Sequence, residues 1–222
     1  LRDMAPNRFL MKRILAIALP TSAQRFVPNI REAALVALVT ALGDLPLAAF
    51  SLLWRIMSFT LAPAYGLSGP AASLVGQNIG ADRPNRAAKA ANLATILAII
   101  ATALLQFLLI LFPESILGYF TSETATIEAA RLVLPFSLLI AVGHGWNRVM
   151  ATVLSAAADA TANFVLTTIS VVGLQLGLAW LFSQPLGWGV RGLWLGAAIG
   201  AIASGAFLSL RFAQDKWRDC FI

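Results

Sequence analysis

The chain has 222 residues, 59% of them hydrophobic and only 12% charged, with a mean hydropathy of +0.80. Water-soluble domains carry about 25% charged residues, so a soluble globule with a polar coat is excluded. The net charge of +6 does not imply nucleic acid, because no basic stripe interleaved with aromatics is present; basic residues of membrane proteins gather on the cytoplasmic side.

A spanning helix needs about 20 apolar residues. Six such runs follow one another, at approximately 14–42, 45–75, 90–112, 129–154, 162–182 and 189–211. They predict an all-α, polytopic bundle of six transmembrane helices. Ahead of them, residues 1–13 are basic and lack a cleavable apolar core, so they do not read as a signal peptide. With Leu1 first, the chain reads as a piece of something longer.

The first run carries Pro20, Pro28, Gln24, Arg25, Asn29, Arg31 and Glu32. Ionisable groups at membrane depth are costly and mark sites. Arg25, Asn29 and Glu32 are spaced to share one helix stripe. After the Gly43-Asp44 turn, the second run brings Arg55 to about the depth of Glu32, counting roughly 1.5 Å per residue from the turn. A Glu32–Arg55 pair across this hairpin is therefore expected. With Arg25 and Arg31 nearby, the group suits a structural pair or an anion-tolerant site, while Glu32 as a cation-binding group is the functional alternative. Pro63, Gly66, Gly69 and Pro70 punctuate the second run, and bending of the first two helices is expected. Loop formers fill residues 80–86, and Pro113-Glu114 ends the third run.

The fourth run holds Pro135 and His144, with Asn147 and Arg148 one turn on. Histidine titrates near neutral pH, so His144 near mid-membrane is a candidate for proton coupling; the plainer reading is a neutral ring donating to a neighbouring helix carbonyl. Asp159 precedes the fifth run, where an acid stabilises the helix dipole. Gln184-Pro185-Leu186-Gly187 separates the last two runs. Gly192, Gly196, Gly200 and Ser204 place one small face along the sixth helix, a close-packing pattern.

Eleven basic residues fall on one side of this topology: Arg2, Arg8, Lys12, Arg13, Arg83, Arg86, Lys89, Arg148, Arg211, Lys216 and Arg218. Only Arg131 and Arg191 fall on the other. The bias predicts a cell-membrane protein with both ends cytoplasmic. One cysteine, Cys220, and one histidine leave no disulfide framework and no metal site. Paired carboxylates, Gly-x-Ser-x-Gly and phosphate loops are all missing, so an enzyme is not expected.

Several motifs resemble one family. Val75-Gly76-Gln77-Asn78-Ile79-Gly80-Ala81 and the basic segment after it are similar to the VGQNxGA-like loop of multidrug and toxic compound extrusion (MATE) transporters. Leu19-Pro20, Leu42-Gly43 and Leu47–Phe50 fall at that family's spacing. Phe112-Pro113-Glu114 with Leu117 and Phe120-Thr121 resembles its next connection, and Gly189–Gly196 its GVxGxWxG opening of a final helix. The likeness runs through residues 14–213. It implies the C-terminal six-helix lobe of a twelve-helix, two-lobe antiporter exporting drugs or cationic and amphipathic metabolites in exchange for protons or sodium ions, with no other cofactor. Residues 1–13 would end an inter-lobe linker, 14–213 form the lobe and 214–222 a cytoplasmic tail. The implied partners are the bilayer, an N-terminal lobe and a small-molecule substrate. Candidate binding residues are His144, Glu32, Arg55, Arg25, Asn29, Gln24 and Asn147, with Gly76, Gln77, Asn78 and Gly80 as the loop motif. Where one branch of the family carries acids, this sequence has Pro28 and His144. That points to proton coupling, or to an essential acid in the other lobe. The LRGxGD-like turn is here Leu154-Ser155-Ala156-Ala157-Ala158-Asp159. Two other readings are a lipid-linked-oligosaccharide flippase of related architecture and a non-transporting scaffold or partner subunit.

Overall fold

The computed structural model describes residues 8–215 and Trp217. Arg2, Lys216, Arg218, Cys220 and most of the two expected end segments lie outside the described residues. Every described element is helical. Helix α1 (Arg8–Thr40) is followed by α2 (Asp44–Thr60), α3 (Ala62–Gly80), α4 (Pro84–Leu111), α5 (Pro113–Phe120), α6 (Thr124–Arg131) and α7 (Leu134–Ala156). Then come α8 (Ala160–Thr168), a π-helical segment (Ile169–Leu176), α9 (Gly177–Ser183) and α10 (Gly189–Ala213).

Among the described residues, three helical stretches, or five crossings if two bent pairs are counted, are long and apolar enough to span a membrane. The three are Pro84–Leu111, Ala160–Ser183 and Gly189–Ala213. Two more are broken pairs, α2 with α3 bent by 42° and α6 with α7 bent by 64°. Helix α1 has 33 residues, about 50 Å of helix, but its central charges leave it dependent on its neighbours.

Proline placement explains the breaks. Pro63 lies at the start of α3 and Pro135 at the start of α7, where a missing N–H is tolerated but a helix arriving from behind is interrupted. The fourth crossing therefore begins at Leu134, five residues later than the apolar run predicts, and α6 packs against α2 instead. The second crossing runs on to Gly80. In α1, by contrast, Pro20 and Pro28 sit inside one continuous helix, while the second crossing is bent by 42°. That helix is described from Arg8 on, making residues 8–13 continuous with the first crossing.

Helix α4 shows how the lobe packs. Its buried positions Ala87, Ala91, Thr95, Ala98, Thr102, Gln106 and Leu109 recur every three or four residues. Leu93, Ile96, Leu97, Ile100, Leu104 and Phe107 on the other faces are exposed. Large apolar side chains thus face outward, and small or polar ones face the bundle, as suits lipid solvent. Helix α10 does the same with glycine. A Cβ at Gly192, Gly196 or Gly200 would fall 2.5, 2.4 or 2.3 Å from backbone atoms of Phe182, Ala179 or Gln175. The small face read from the sequence therefore packs on the π segment and α9.

Two apolar cores result. One gathers Leu35, Val39, Phe50, Leu53, Leu193 and Trp194 near the end carrying the 41–43 turn. The other gathers Val75, Ala91, Val149, Leu154, Leu208 and Phe212 towards the opposite end. Polar side chains lie between them.

Candidate functional site: a polar layer and an arginine-lined cavity

The polar layer comprises three networks. Buried Gln106 of α4 accepts from Thr60 Oγ1 at 3.0 Å and donates to Ser137 Oγ at 2.6 Å. Asn147 of α7 donates to Ser204 Oγ at 2.6 Å, and Ser170 of the π segment donates to the same hydroxyl at 2.9 Å. Asn163 of α8 donates to the carbonyl of Ala151 at 2.7 Å, to Ser155 at 2.9 Å and to Gln24 at 2.9 Å, while Gln24 donates back to it at 2.8 Å. Each network ties together helices distant in sequence, satisfying groups that would be expensive to leave bare at this depth.

His144 lies ten residues into α7, roughly 15 Å along it. Its Nε2 is 3.0 Å from Arg31 Nη1 and 3.3 Å from Gln175 Nε2. The Trp54 indole meets its ring edge-on at 5.9 Å, and the Arg31 guanidinium lies 5.3 Å from the indole centroid. A guanidinium only donates, so Nε2 must accept, and the ring in this arrangement is neutral with its proton on Nδ1. The ring therefore accepts from Arg31 through Nε2. Gln175 is held beside it by the π segment, an irregularity frequent at functional sites.

Below this cluster opens a cavity of about 400 Å³, within the range of small-molecule sites. Gln24, Arg25, Asn29, His144 and Asn147, all expected site residues, line it. So do Arg31, Tyr65 and Arg148, with Arg148 stacked 4.6 Å from the Tyr65 ring centroid. Arg148 is thus a cavity residue eight positions before the end of α7, and not part of the loop charge it was counted with. Among the described residues, no carboxylate lines the cavity.

Glu32 and Arg55 are not brought together. Both are exposed, neither lines the cavity, and no ion pair joins them. The depth estimate placed them level but carried no information about rotation. Buried Val27, Leu35 and Val39 turn α1 so that Gln24 and Arg31 face the bundle. Glu32, one residue on, is rotated by about 100°. On α2 the inward face belongs to Phe50, Leu53 and Met57, which turns Arg55 outward.

Asp159 does stand at the N-cap of α8, but its side chain makes no capping bond. Its carboxylate instead accepts from Arg211 Nε at 2.7 Å and Nη2 at 3.2 Å, clamping α8 to α10. Gly76, Gln77, Asn78 and Gly80 form the end of α3, away from the cavity. There the Asn78 side chain donates to the Leu74 carbonyl at 2.7 Å, and its own carbonyl accepts from Arg83 N–H at 2.8 Å. The motif closes a turn.

Sequence reasoning missed Trp54, Tyr65, Asn163, Thr167 and Gln175. A signal existed for two of them, since Asn163 and Gln175 are amides within an apolar run, where such residues usually join helices. Trp54 and Tyr65 carried none, because aromatic residues in a span are ordinarily packing.

The family profile described as MatE matches residues 20–181. The chain belongs to the MatE family. Among its curated relatives, NorM, a multidrug resistance protein of Vibrio cholerae, is 28% identical over 90% of this chain and 45% of its own length. PmpM, a multidrug resistance protein of Pseudomonas aeruginosa, is 24% identical over 96% of the chain and 46% of its own. A crystal structure of MATE in complex with MaD3S superposes with a TM-score of 0.87 at 22% identity, covering 98% of this chain and 49% of that one. The chain thus spans about half the length of the MatE proteins it matches.

Proposed function

We propose that this chain is the C-terminal half of a secondary active transporter that exports amphipathic drugs or metabolites in exchange for protons or sodium ions. The observation that carries this reading is the polar cavity at mid-bundle in a MatE-family chain. Exposed Arg25, Asn29, Glu32 and Arg55 on α1 and α2 support a second six-helix lobe against that face, in the same chain or a partner. These groups would be costly against lipid, and secondary transporters place substrate between paired repeats. The bias of basic residues towards the end with the 81–83 and 157–159 turns supports a multi-pass cell-membrane protein with both ends cytoplasmic. No catalytic role is proposed.

Coupling in this reading runs through His144. A proton arriving on Nε2 would confront Arg31 with a second donor, so protonation of the ring and the Arg31 contact are mutually exclusive. Exchange of one for the other gives the site two arrangements. The test is flux of amphipathic dyes by the full-length protein in liposomes, with proton and sodium gradients imposed separately. Flux should follow the proton gradient and vanish in His144→Ala while insertion is retained. Unchanged proton-driven flux in that variant would rule out His144, and flux driven by sodium alone would reassign the ion. A lipid-linked-oligosaccharide flippase is the second reading, favoured by the arginines of the cavity. It predicts transbilayer movement of a fluorescent polyprenyl pyrophosphate in the same liposomes.

A further inference from the structure

We infer that the cavity of this lobe is a binding site for an amphipathic organic anion, a small molecule carrying a carboxylate, sulfonate or phosphate. Among the described residues, three arginines line it, Arg25, Arg31 and Arg148, and no carboxylate does. Two carboxylates of the surrounding helices lie outside its lining: Asp159 holds Arg211, and Glu32, exposed outside the cavity, is a charge neighbouring Arg31. Neither Arg25 nor Arg148 has an ion-pair partner among the described residues. Arg31 Nε is buried without any hydrogen-bond partner there.

Three positive charges gathered at membrane depth, more than the neighbouring negative charge offsets, cost free energy that a bound anion would return. A concave site of one sign, walled by low-dielectric protein, also concentrates ions of the opposite sign. Guanidinium forks match planar oxyanions in two-point geometry. The apolar part of the ligand is provided for as well. Pro28, Leu61 and the Tyr65 ring complete the wall, and Arg148, lying against Tyr65, presents its charge at the edge of that apolar surface. The same arrangement would repel an organic cation, which no carboxylate here is placed to hold.

The inference rests on the transporter reading for its setting, and the test separates the two. Two dyes sharing a xanthene ring, dianionic fluorescein and cationic rhodamine 123, are titrated by fluorescence anisotropy against the purified full-length protein. Fluorescein should bind at least about tenfold more tightly. Arg31→Gln and Arg148→Gln should each weaken it by about tenfold or more, Arg31→Lys should recover part of the loss, and Glu32→Gln, which removes a negative charge beside Arg31, should not weaken it. Arg148 is exposed and, among the described residues, its side chain makes only a ring contact, so its variant tests the site even if Arg31→Gln fails to fold. Rhodamine 123 binding as tightly as fluorescein, or fluorescein binding indifferent to Arg148→Gln, overturns the inference. Competition by 1-naphthalenesulfonate or by phosphatidic acid in mixed micelles tells whether the anion comes from water or from lipid; either supports the site. Arginine-dependent binding without gradient-driven flux keeps the anion site and removes the transporter reading. Flux of rhodamine 123 without fluorescein binding does the reverse.

Discussion

Gly200→Ala is the sharpest probe of how α10 positions the site. The added methyl carbon would fall 2.3 Å from Gln175 Cα, 2.4 Å from its Cβ and 2.5 Å from its backbone nitrogen. Carbon atoms in ordinary contact stand about 3.5–4.0 Å apart, so α10 and the π segment must separate by roughly 1 Å. Two of the three obstructing atoms belong to the backbone, and no rotamer change relieves them. Overpacking of this kind costs about 1–3 kcal/mol. Gly173→Ala in the same π segment meets nothing within 4 Å and is the matched control. It should be neutral, or stabilising by up to about 1 kcal/mol through helix propensity. Thermal unfolding of both variants in detergent should therefore place Gly200→Ala below Gly173→Ala by about 1–4 kcal/mol. The displacement also moves Gln175, 3.3 Å from His144 Nε2, so proton-driven flux should fall in Gly200→Ala alone. Equal stability of the two variants would refute the close approach of α10 to the π segment, and with it the account of how Gln175 is held.

Two further outcomes test the charge assignments. Arg211→Gln leaves the Asp159 carboxylate, whose side chain is only 7% exposed, without its clamp; a loss of about 3–5 kcal/mol is expected, with partial recovery on adding Asp159→Asn in the same unfolding assay. Glu32→Gln and Arg55→Gln should each change stability by less than about 0.5 kcal/mol and combine additively; a coupling above 1 kcal/mol would show that the two groups meet.

The sequence by itself determined that the chain lies in a membrane, that it is all helical, where most crossings and turns fall, and which family it resembles. Those follow from apolar run length, charge bias and turn chemistry, which are local properties. It also marked the small face of α10, because four-residue spacing maps directly onto one side of a helix. Rotation about the helix axis was beyond it. Depth counted in residues put Glu32 beside Arg55, yet the packing of Val27, Leu35 and Val39 turned Arg31 inward and Glu32 outward. The break at Pro135 and the cavity position of Arg148 depend likewise on what neighbouring helices occupy. Tertiary structure alone decided that His144 meets Arg31, Trp54 and Gln175, residues 113, 90 and 31 positions away in the chain. No local rule couples positions so separated; only the packing of α1, α2, α7 and the π segment brings them to one point.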